Sequence, residues 1–76
     1  MLVSFDGKKL RSVRKSKCLS QAALAVKMDS SIRHVRALET GEKPHPSAEL
    51  LYKAALAMDV PMETFMQRLE EEDEEI

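Results

Sequence analysis

Along most of this 76-residue chain the apolar positions recur at helical rather than strand intervals, so the pattern predicts a string of short helices. Leu10 and Val13 share one side of a first segment that Ser4 or Asp6 can cap and that runs to about Ser16, with Lys8, Lys9, Arg11 and Lys15 turned outward. Cys18 and Leu19 connect it to a second segment. Ser20 caps that segment, in which Ala23, Leu24 and Met28 recur at helical spacing. Asp29, Ser30 and Ser31 form a tight turn, and either serine can cap a third helix. Stepping about 100° per residue, the third helix places Val35 and Leu38 on one side and Ile32, Arg33, Arg36 and Ala37 roughly opposite. One side packs, and the other is free.

Thr40-Gly41 ends this helix, because glycine takes a left-handed backbone without a Cβ clash. The two prolines of Glu42-Lys43-Pro44-His45-Pro46 exclude a helix there. Ser47 then caps a fourth helix to about Met58, with Leu50, Leu51, Ala54, Ala55 and Met58 toward the core. Pro61 suits the first turn of a fifth, whose Met62, Phe65, Met66 and Leu69 follow an i, i+3, i+4, i+7 stripe. Met1 to Phe5 is short, apolar and β-tolerant, and no function is assigned to it. The expected architecture is all-α, a compact five-helix bundle forming a single domain over residues 1–76, with its core at 6–69 and a frayed acidic tail at 70–76.

Composition sharpens this picture in two ways. The aromatic residues are only Phe5, Tyr52 and Phe65, which suits packed helices better than a β-sandwich. Net charge is −1, yet residues 1–46 carry ten Lys and Arg against four acids (+6), while residues 47–76 carry two against nine (−7). The chain is a charge dipole, and its basic half contains the two-helix stretch from Ser20 to Gly41. A polyanion meets that end first. Two helices joined by a tight turn, the second offering two arginines, can present a helix to the major groove of DNA.

Chemistry is poorly provided for. The sequence shows no Ser/His/Asp set, paired catalytic carboxylates or Gly-rich phosphate loop, and so short a chain has little room for a cleft, so no enzyme is expected. His34 and His45 lack neighbours at ligand spacing, so neither a metal nor another cofactor is expected. Cys18 has no partner for a disulfide. With no long apolar run and no signal-like leader, the expected location is cytoplasmic, away from membranes.

Leu19 to Ala25 (LSQAALA), Leu38 to Gly41 (LETG) and Pro46-Ser47 together resemble the Cro/C1-type, lambda repressor-like helix-turn-helix family over residues 6–66. The resemblance implies a DNA-binding transcription regulator, in most cases a repressor, whose third helix enters the major groove as a homodimer on a near-palindromic operator. Carried over by position, Ser31, Ile32, Arg33, Arg36 and Ala37 face the bases, and Ser20, Gln21, Thr40 and Lys43 contact phosphates. Arg14 and Glu39 match a pair that holds the reading helix at its angle, and Phe65, Met66 and Leu69 fall where such proteins dimerise. Cys18, Asp29 and Asp59 stand where glycine is common, and Ile32 where a polar reader is common. The alternative reading is an antitoxin-like or regulatory module that binds a protein partner through the acidic C-terminal half.

Overall fold

The computed structural model describes the backbone from Leu2 to Leu69. In order the chain forms β1 (Leu2–Phe5), α1 (Gly7–Ser16), α2 (Gln21–Lys27), α3 (Ile32–Thr40), α4 (Ala48–Met58), a 3-10 turn (Met62–Phe65) and β2 (Met66–Leu69). The expected tail at 70–76 lies outside the described residues.

Four helix starts are capped by short polar side chains. The Asp6 carboxylate accepts from the amides of Lys8 and Lys9, while Ser20, Ser31 and Ser47 accept from those of Ala23, His34 and Leu50. Each such cap contributes about 1 kcal/mol. For α2, seven residues long, this matters, because so short a helix does not persist alone.

Three helix ends share one geometry. After α1, α2 and α4 the chain turns through Cys18 (φ 60°), Asp29 (φ 55°) and Asp59 (φ 58°), all left-handed. In each case the next amide reaches back five residues, Leu19 to Arg14, Ser30 to Ala25 and Val60 to Ala55, closing a Schellman motif. Glycine, the usual occupant, is absent from all three and appears only after α3, as Gly41 (φ 88°). Asp tolerates this region better than Cys does.

The core gathers Leu10 from α1, Leu24, Ala25 and Met28 from α2, Val35 and Leu38 from α3, Ala54, Ala55 and Met58 from α4, and Phe65. Gly7 sets the distance between α1 and α3, since a Cβ there would lie 2.1 Å from the Leu38 carbonyl oxygen. No helix among the described residues is long and apolar enough to cross a membrane.

The fifth helix expected from Pro61 onward does not form. One 3-10 turn ends at Phe65, and Met66–Leu69 runs as a strand antiparallel to β1, with Phe5 opposite Met66 and Leu2 opposite Leu69. Among the described residues the architecture is therefore four α-helices with a two-stranded antiparallel ribbon of β1 and β2. Two forces favour the strand. The β-tolerant segment Leu2–Phe5 offers unpaired backbone groups that need partners, and the run of acids after Leu69 would oppose the dipole of a helix ending there. The Asp6 amide also donates to the Phe65 carbonyl at 2.7 Å, tying the start of α1 to the 3-10 turn.

Replacing Cys18 with glycine removes roughly 1–2 kcal/mol of left-handed strain against a smaller loss of chain entropy. The Cys18→Gly variant is expected to melt a few degrees higher in a thermal scan; a lower melting temperature contradicts the strained turn.

Candidate nucleic-acid interface

The site is built around one carboxylate. Glu39, near the end of α3, has a side chain only 2% exposed. Arg14 of α1 meets it side-on, Nε donating to Oε2 at 2.5 Å and Nη2 to Oε1 at 3.1 Å. From α2, Gln21 Nε2 donates to the same Oε1 at 3.0 Å. Arg14 also uses Nη1 to reach the Leu19 carbonyl at 2.7 Å, just ahead of the α2 cap. One guanidinium thus spans α1, the start of α2 and α3. A paired buried charge of this kind favours one arrangement over others more than it adds net stability.

With Val35, Leu38 and Glu39 buried, the opposite side of α3 faces outward. Arg33, Arg36 and Thr40 line one shallow cleft there together with Glu42. Ile32 is 40% exposed beside them, and Ala37 is half-buried. Ser31 is exposed, with its Oγ engaged as the α3 cap. Ser20 and Gln21 lie together at the start of α2, and Ser20 Oγ caps that helix. Thr40 donates weakly to the Ala37 carbonyl at 3.4 Å.

Lys43 is on a different flank. Its amide donates to the Ala37 carbonyl at 3.2 Å, folding the loop back along α3, and its side chain lines a second cleft with His34, His45 and Lys53. In the sequence the two histidines raise only the question of a metal, and no acid falls on the arginine face of α3. Glu42 is in that cleft because of the same loop path, which residue spacing does not reveal. Among the described residues no three His, Cys, Asp or Glu side chains gather as a metal site.

The expected dimer residues separate. Phe65 is fully buried in its own core, so it has no surface to offer a second copy. Met66 is half-buried and lines an apolar groove with Leu51, Tyr52, Ala55, Leu56 and Met62. Tyr52 and Leu56 are 55% and 64% exposed. Leu69 closes the β2 strand opposite Leu2 instead of the fifth-helix stripe.

Two capped helices joined by a left-handed turn, the second locked from behind and cationic in front, make a helix-turn-helix unit. A helix-turn-helix family model matches residues 10–65. The chain belongs to the Cro/C1-type helix-turn-helix family. Among solved structures it is similar to the restriction-modification controller protein C.AhdI from Aeromonas hydrophila, 30% identical over 78% of this chain and 88% of that one, with a TM-score of 0.73. SinR, the master biofilm regulator of Bacillus subtilis, solved in complex with DNA, is 27% identical over 78% and 94%, with a TM-score of 0.75. The P22 c2 repressor, solved with a synthetic operator, is 25% identical over 78% and 88%, with a TM-score of 0.71. No curated protein matches significantly.

Removing one member of the buried pair leaves the other charge unpaired, which costs about 3–5 kcal/mol. Arg14→Ala is expected to lose that much in urea unfolding. The double variant Arg14→Met/Glu39→Leu, with no charge left behind, should lose less than either single change; a double variant that loses the sum contradicts a coupled pair.

Proposed function

We propose that this protein is a sequence-specific DNA-binding transcription regulator, a repressor acting by occupancy, that inserts α3 into the major groove as a homodimer. The observation that carries the reading is the exposed Arg33/Arg36 face of a helix whose opposite face is fixed by Arg14, Glu39 and Gln21. Arginine can bond guanine bidentately, and Ile32 beside it can contact a thymine methyl. Ser31 and Ala37 complete the base-facing set. The relatives solved with DNA, SinR and the P22 c2 repressor, support the same use of the fold.

Ser20, Gln21, Thr40 and Lys43 are assigned to phosphates on either side of the groove. A carboxamide nitrogen carries two N–H donors, so the bond of Gln21 to Glu39 leaves the second for a phosphate oxygen. That one side chain would both support α3 and set its depth. Single-domain organisation and action in the cytoplasm belong to this reading.

The dimer surface we assign is the apolar groove between α4 and the 3-10 turn, centred on Tyr52, Leu56, Met62 and Met66. Exposed aromatic and aliphatic side chains clustered in this way mark association sites more often than free surface. The same groove, with Glu63 on its lining, favours the second reading, a protein partner as the main ligand.

Selection of bound duplexes from a random pool at moderate salt is expected to enrich inverted half-sites about one helical turn apart, with enrichment lost in Arg33→Ala/Arg36→Ala. Folded protein that enriches nothing contradicts DNA reading and leaves the partner reading. In sedimentation, Leu56→Glu is expected to shift the mass from dimer to monomer; an unchanged dimer moves the interface elsewhere.

A further inference from the structure

The second cleft carries an inference beyond helix insertion, resting on the DNA reading above. His34 of α3, Lys43 and His45 of the loop, and Lys53 of α4 line it, with Ser47 and Glu49 on its wall. Among the described residues, Glu49 is the one carboxylate lining it. Lys53 lies 3.7 Å from that carboxylate, which is 80% exposed. Glu42, next to Lys43 in sequence, lines the separate arginine cleft. The cleft is therefore cationic, and two of its four nitrogen bases are imidazoles.

His34 is oriented. Its Nδ1 lies 3.0 Å from Ser30 Oγ, and a hydroxyl can donate to a neutral ring or accept from a protonated one. The contact survives in both charge states and leaves Nε2 for another partner. His45 also lines the cleft, on the loop that the Lys43 amide anchors to Ala37. The cleft shares no lining residue with the one formed by Arg33, Arg36, Thr40 and Glu42, so on the DNA reading it is free to meet the sugar-phosphate backbone beside the groove.

We propose that this cleft binds a DNA backbone phosphate with uptake of protons by His34 and His45, so that operator affinity rises as pH falls through neutrality. Histidine is the side chain whose charge changes between pH 5 and 8, and a phosphate oxygen stabilises the imidazolium by a charge-assisted hydrogen bond. The sign follows from linkage: a complex that holds more protons than its free components is favoured at lower pH. His34 and His45 are the chain's only histidines, and both line this cleft.

The test measures affinity at pH 6.0 and 8.0 at constant ionic strength, using the full chain, the duplex enriched by selection and a mixed-sequence duplex of equal length. Wild type is expected to bind the enriched duplex roughly tenfold or more tightly at pH 6.0, the gain of one or two charge-assisted bonds. His34→Gln and His45→Gln should each reduce that ratio, and the double variant should bring it near one. His45→Gln changes only an exposed loop residue, which keeps the test independent of folding. Lys43→Ala should weaken binding at both pH values. A pH-independent wild type, or a ratio that survives in the double variant, overturns the proton-linked cleft while leaving the DNA reading intact; no binding to either duplex at either pH overturns both.

Discussion

Everything that this fold presents depends on the Glu39 carboxylate being satisfied. Its two oxygens receive three hydrogen bonds from Arg14 and Gln21, so a charge almost out of contact with water is matched by donors from two other helices. The angle of α3 is set by that match. Apolar side chains alone would permit the helix to slide or roll at small cost, because Val35 and Leu38 pack acceptably in several orientations. A carboxylate left with two donors instead of three does not have that freedom. The arginines on the opposite face inherit the orientation.

Short helices put the remaining burden on their ends. Each of the four described α-helices opens on Asp or Ser as a cap, and three close through a left-handed residue that is not glycine. The turns can be this tight because the closing amides are satisfied inside them, leaving few residues between helices. Gly7 contributes from the other direction, allowing the first turn of α1 to sit against the last turn of α3.

Much of this was legible in the residues. Ser20, Ser31 and Ser47 cap the helices assigned to them, Gly41 takes the left-handed end, and Cys18, Asp29 and Asp59 occupy the left-handed positions that the resemblance implied. These are local effects, decided within one turn of chain. The end of the chain was not legible, because Met62, Phe65, Met66 and Leu69 fit a helical stripe as well as they fit a buried 3-10 turn followed by a strand. Pairing between residues more than sixty positions apart decided the matter. The ion pair between Arg14 and Glu39 was reached through family resemblance, since nothing local relates the two. The bond from Gln21 to Glu39, the burial of Phe65 and the shared cleft of His34 and His45 all depend on tertiary packing.

The measurement that bears most directly on the central claim is an amide chemical-shift titration of the folded chain with duplex DNA. If α3 is the inserted element, the largest shifts fall on residues 31–45 and on the start of α2 at Ser20 and Gln21, with smaller ones at Ser47 and Lys53 beside the second cleft, while the rest of α4 and the ribbon move little. Shifts concentrated on Tyr52, Leu56 and Met62, or absent at saturating duplex, would contradict it.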